Sequence, residues 1–139
     1  WVHSVHRIKV ARRLSEQRPE TLPALNVCLQ VDISGEASKS GVPPEALPEL
    51  AEAVAELPRL RLRGLMCIPA PSDDFAEQRR AFAEMRHGFE ALRARGHALD
   101  TLSMGMSGDL EAAIAEGATL VRIGTALFGP RNPAPTSNP

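Results

Sequence analysis

The chain has no tyrosine, a single tryptophan, 4% aromatic residues and two cysteines in 139 residues. So few rings argue against a stacking platform for single-stranded nucleic acid. A net charge of -1 leaves no global basic field to attract nucleic acid either. No apolar run approaches the ~18 residues a transmembrane helix needs. A signal-peptide pattern is also missing, which makes the cytoplasm the expected location. Cys28 and Cys67 lie inside apolar, strand-like runs without metal-ligand spacing. They are expected to be buried, reduced thiols rather than a disulfide or a metal site. Lysine is restricted to Lys9 and Lys39, and the first residue is Trp1 rather than Met. That start suggests a fragment or a processed product.

What is present is an ordinary globular composition, 43% hydrophobic and 24% charged, enough for one core. Strand-like and helix-like segments alternate along it. Trp1–Val5 reads as a strand and runs into a helix in which Ile8, Ala11 and Leu14 recur at helical spacing. Leu25–Ile33 is the second strand, followed by the Ser/Gly-rich loop SGEASKSG. Pro43 and Pro44 open a helix with Leu47, Leu50, Ala51, Val54 and Leu57 on one face. After the strand Leu60–Ile68, Ser72 or Asp73 is the expected cap of the longest helix. Its buried stripe is Phe75, Phe82, Met85, Phe89 and Leu92, and Gly96 is its stop. Leu99–Met104 and Leu120–Leu127 are the last two expected strands, flanking a helix over Asp109–Glu116 that ends at Gly117. Residues 130–139 hold four prolines and read as a flexible tail.

Five strands separated by four helices argue for a parallel α/β sheet with right-handed crossovers. A doubly wound sheet needs a phosphate loop after an early strand, commonly GxGxxG, and the sequence has none. A (β/α)8 barrel places its phosphate loops late but needs eight strands and about 250 residues. The expected architecture is therefore a partial (β/α)8 TIM-type barrel over residues 1–129, the C-terminal part of a barrel whose first strands are missing. Such a piece has two exposed sheet edges and is expected to be marginal by itself.

Late loops are what the stretch SMGMSGDLEAAIAEGATLVRIGTALFG (103–129) supplies. Ser107 and Gly108 stand where a strand hands over to a helix, so backbone N–H groups and a hydroxyl can meet an anion there. Gly124 and Thr125 follow the last strand in the same way. The hydroxyl of Ser107 would serve equally as a helix N-cap, a role compatible with phosphate binding because the same N–H groups serve both. Asp73, Asp74 and Glu77 fall at a helix N-terminus and read as structural. His3 and His6 lack converging ligands and read as surface or capping residues rather than a metal site.

Four ordered motifs carry a family resemblance: SVHRIKVARRLSEQR, LNVCLQVDISGEASKSGV, LPRLRLRGLMCIPAP and LSMGMSGDLEAAIAEGATLVRIGTALFG. From Trp1 to about Gly129 the chain resembles the pyridoxal-phosphate homeostasis protein family (YggS/PROSC type). The resemblance implies a barrel like the N-terminal domain of alanine racemase, holding pyridoxal 5′-phosphate (PLP) through a lysine Schiff base. It also implies a carrier or regulator of intracellular vitamin B6 without established turnover, hence not an enzyme, and a monomer when full length. No nucleic acid, membrane or metal is expected as a partner.

Carried over by residue, the resemblance gives Ser107, Gly124 and Thr125 to the PLP phosphate. Met104, Gly105 and Met106 shape the loop, and Arg122 faces the pyridine nitrogen or the phosphate side. An arginine, always protonated, cannot accept the pyridinium proton and leaves the ring a poor electron sink. From the residues alone, Arg122 serves equally well as a barrel-interior arginine paired with a carboxylate. The family's Schiff-base lysine, in an SKT-like motif at the end of the first barrel strand, is expected upstream of this sequence. Lys9 reads as a solvated helix residue and Lys39 as a possible cofactor neighbour. The alternatives are a PLP enzyme of the racemase kind, against which the missing tyrosine weighs, and a phosphate-binding barrel enzyme for another phosphorylated ligand.

Overall fold

The computed structural model describes residues 1–34 and 40–132. Lys39 and the greater part of the proline-rich tail lie outside them. Four strands, β1 (Val2–Val5), β2 (Leu25–Gln30), β3 (Leu60–Met66) and β4 (Thr101–Ser103), form one sheet in the order β1-β2-β3-β4. Every pairing is parallel. Strand order equal to chain order leaves no reversal point, which distinguishes this sheet from a doubly wound one.

The connecting helices are α1 (Ile8–Gln17), α2 (Leu47–Ala55), α3 (Phe75–Ala94) and α4 (Leu110–Ala115), with a short α5 (Thr125–Phe128) at the end. They make one continuous layer. Gly88 on α3 lies close enough to α2 that a Cβ there would stand 3.6 Å from Leu47. Arg79 and Arg86 on α3 reach Glu116 at the end of α4 at 2.8 and 3.1 Å. Between this layer and the sheet sits the core. In the register Leu29↔Leu65↔Leu102 three leucines share a row, and with Val27, Val31 and Met104 they meet Phe82, Met85 and Leu92. Phe82 alone, fully buried, is worth about 3–5 kcal/mol against truncation to alanine.

The opposite face of the sheet is concave. Three strand spacings of about 4.8 Å would hold β1 and β4 some ~14 Å apart in a flat sheet. Yet His3 Nδ1 on β1 lies 2.9 Å from Ser103 Oγ on β4. That bond across the hollow demands the curvature of a barrel wall.

Helix boundaries follow local chemistry. Asp74, rather than Ser72 or Asp73, caps α3 by accepting the Ala76 N–H at 2.9 Å. Ser72 instead donates to Glu77 and accepts from the Asp74 N–H. Gly96 ends the helix with φ +100°. Phe75 is 47% exposed, outside the expected stripe, because it occupies the first turn and stacks near Arg79 instead.

The fifth strand expected over Leu120–Leu127 does not form. Leu120 makes one isolated parallel bridge to Ser103, and from Gly124 the backbone turns into α5. The pairing with β4 stops there because the backbone turns away at Gly105, φ +103°, and its carbonyl takes the next N–H, that of Arg122, out of the ladder. Arg122, expected on that strand, lies in the stretch between the bridge and α5, its N–H donating to Gly105 O at 2.8 Å.

Candidate functional site

The loop after β4 depends on Gly105. It is buried, has φ +103°, and a Cβ there would come within 2.7 Å of Ala113 and 3.3 Å of Val121. Only glycine fits both the conformation and the space. The backbone then turns outward through Met106, whose N–H donates to Asp109 Oδ1 at 2.7 Å, and presents Ser107 at the rim.

Ser107 Oγ accepts the Ala126 N–H at 3.0 Å. The hydroxyl therefore caps the first turn of α5, not of α4, and clips together two loops 19 residues apart in sequence. Between them lies an open cavity of about 730 Å³ whose lining includes Met106, Ser107, Gly108, Gly124, Thr125 and Phe128. This volume lies in the range of small-ligand sites. Among the described residues the N–H groups of Gly124 and Thr125 have no backbone acceptor, which leaves them free for an anion at the cavity wall.

Arg122 stands behind this cradle. Its Nη2 donates to the Cys67 carbonyl at 2.7 Å, and its Nε is buried without a hydrogen-bond partner among the described residues. Among the described residues no carboxylate forms an ion pair with it. Burial lowers the Arg122 pKa, opposed by Cys67 and Asp109, yet a guanidinium stays charged at any ordinary pH. A half-buried cation with an unused donor suits an acceptor atom of a bound anion or a pyridine nitrogen.

The sequence reading missed His3. Expected at the surface, it is half-buried on the concave face, bonded to the fully buried Ser103. Its pKa is lowered by burial first and by Arg122 second. The period-2 pattern of Trp1–Val5 could have placed His3 on one face of a strand, but not which face would be enclosed. His6 bonds only locally, to Ser4 O at 3.3 Å. Cys28 and Cys67 are buried free thiols, as expected. Burial pushes them up to about 11 and about 12, which keeps both un-ionised and unreactive. Among the described residues no cluster of three or more His, Cys, Asp or Glu could hold a metal ion. No helix there is long and apolar enough to cross a membrane.

A family model described as the alanine racemase N-terminal domain matches residues 1–132. The chain belongs to that family. It is 68% identical over 132 residues to the pyridoxal phosphate homeostasis protein of Pseudomonas aeruginosa, covering 95% of this chain and 56% of that protein. To the protein of the same name from Escherichia coli K12 it is 55% identical, with the same coverage of 95% and 56%. The chain thus spans little more than half the length of these relatives. Among solved structures, PipY of Synechococcus elongatus PCC7942 with PLP bound superimposes with a TM-score of 0.81 at 37% identity. That match covers 93% of this chain and 60% of PipY. The resemblance carried by the four motifs therefore holds over nearly the whole chain, and the α/β barrel-type fold with it.

Proposed function

We propose that this chain supplies the phosphate-and-ring side of a PLP site in a protein of intracellular vitamin B6 homeostasis, a binder rather than an enzyme. The observation that carries the reading is the pairing of the clipped loops with Arg122. Ser107, Gly124 and Thr125 would hold the phosphate, Met106 would flank it, and Arg122 would offer its unused Nε–H to the ring nitrogen or the phosphate. When bound, PLP supplies an electrophilic aldehyde and an electron-withdrawing ring. Arg122, permanently protonated, donates at its Nε and accepts no proton, so the ring is held unprotonated and is a weak electron sink. That arrangement favours keeping the aldehyde over turning substrates over. The cytoplasm is the proposed location.

Absorbance titration with PLP tests the reading, with inorganic phosphate as competitor. Phosphate-competed binding that weakens in Ser107→Ala combined with Thr125→Val is the expected result; binding indifferent to phosphate overturns it. In the intact protein, borohydride trapping reports covalent attachment, and racemase turnover would replace the binder with an enzyme.

A further inference from the structure

The concave face carries one continuous polar run that the phosphate cradle does not use. His3 Nδ1 meets Ser103 Oγ at 2.9 Å. The Ser103 carbonyl accepts the Cys67 N–H at 3.2 Å, and the Cys67 carbonyl accepts Arg122 Nη2 at 2.7 Å. The Arg122 N–H closes the run on Gly105 O at 2.8 Å. Within the His3–Ser103 pair Ser103 is fully buried and His3 half-buried. The run therefore ties β1, the ends of β3 and β4, and the loop bearing Arg122 into a single unit.

We propose that His3 is a positioning residue for Arg122: its imidazole, fixed by Ser103, holds the concave wall in the arrangement that keeps the guanidinium on Cys67 O behind the cradle. The inference rests on the PLP reading above for the identity of the ligand, but not for the pairing itself. Protonation of His3 would place a second cation on a wall that already holds Arg122. Among the described residues Asp109 is the carboxylate whose field reaches Arg122, its Oδ1 already accepting the Met106 N–H, and none acts on His3. Arg63, stacked on the Trp1 ring at 4.5 Å, is already matched by Asp100 at 2.6 Å. The Cys28 and Cys67 thiols carry no charge. Burial and Arg122 act in the same direction, keeping His3 neutral to a lower pH than a free histidine's 6.5.

Two measurements decide the matter. The first needs no ligand: imidazole NMR of the 139-residue chain across pH, wild type against Arg122→Gln. His3 is expected to titrate below 6.5 in the wild type and to move upward when the guanidinium is removed; an unmoved midpoint overturns the proposal. The second is PLP affinity between about pH 7.5 and about pH 5.5, where histidine charges. His3→Ala is expected to weaken binding about tenfold, the equivalent of one pKa unit. His3→Asn, which restores a partner for Ser103 without a titrating group, is expected to recover that loss and to flatten the pH profile. The ligand's own phosphate ionises near about pH 6 in every variant, so the difference between the His3→Asn and wild-type profiles isolates the imidazole. Equal profiles, or no rescue by asparagine, overturn the proposal. If PLP binds no variant at any pH, the functional reading fails and the NMR comparison alone judges the pairing of His3 with Arg122.

Discussion

Two half-buried arginines mark opposite ends of the sheet, and their surroundings differ in kind. Arg63, near the start of the strands, is saturated. Nε and Nη2 fork onto both oxygens of Asp100 at 2.9 and 2.6 Å, Nη1 reaches Asn26 at 3.2 Å, and the plane stacks on Trp1. Arg122, beyond the C-terminal ends, holds one carbonyl and leaves Nε unused. The consequences for charge are opposite too. The hydrogen bond to Asp100 raises the pKa of Arg63, whereas burial lowers that of Arg122. One arginine completes the fold. The other is held ready for something outside it, as expected where barrel stability resides at one face and ligand binding at the other.

Breaking the ligand-binding end outright is expected to have the largest effect. Gly105→Val forces a branched side chain into φ +103° and against Ala113, costing about 3 kcal/mol of stability and abolishing PLP binding. Chemical denaturation and PLP titration read both losses. Full stability would show that the loop relaxes freely and that the cradle is not rigid.

Exchanging the two arginines for glutamine sharpens the contrast. Arg122→Gln is expected to weaken PLP binding by about 10- to 100-fold, the worth of one or two charge-assisted hydrogen bonds, while leaving the unfolding midpoint nearly unchanged. Arg63→Gln is expected to do the reverse, lowering the midpoint and sparing PLP affinity. Comparable affinity losses in the two variants would erase the distinction between the ends.

Much of this division was legible in the residues, and the part that was not has a common cause. Local signals worked where the physics is local: the apolar stripe of Phe82, Met85, Phe89 and Leu92, the Gly96 stop and the Ser/Gly loops at strand ends, while Pro43 and Pro44 open a 3-10 turn, Pro44–Ala46, that leads into α2. Such signals also singled out Met106, Ser107, Gly124 and Thr125, and these residues line one cavity. The cap from Ser107 to Ala126, the bond from His3 to Ser103 across 100 residues and the orphaned Nε of Arg122 each depend on how the sheet curves. Period-2 alternation assigns a residue to a face but not that face to a hollow. The strand expected over Leu120–Leu127 failed for a related reason, since its pattern is strand-like but the pairing with β4 ends where the backbone turns at Gly105.

The smallest predicted effect concerns acid and again separates the two ends. Arg63 holds the Asp100 carboxyl at about 2, against 3.8 for a free aspartate. Between those values the unfolded chain binds a proton that the folded chain does not, so the ion pair contributes stability above about pH 4 and loses it as pH falls toward 2. Glu116, bonded first by Arg79 and then Arg86, is lowered from 4.5 and adds a contribution of the same sign. Because Asp100 is half exposed, solvent screens the pair and the gain is modest. Asp100→Asn should therefore lower the unfolding midpoint slightly at neutral pH and leave it unchanged near pH 2, with the two curves converging below about pH 4. His3 works at the other end and in a higher window. Its lowered pKa contributes stability above 6.5 that is lost as pH falls through the folded value, and His3→Asn should flatten that segment without touching the acid limb. A double variant whose two windows changed together would show that the ends of the sheet are coupled; independent changes are what the separate hydrogen-bond networks around Arg63 and Arg122 require.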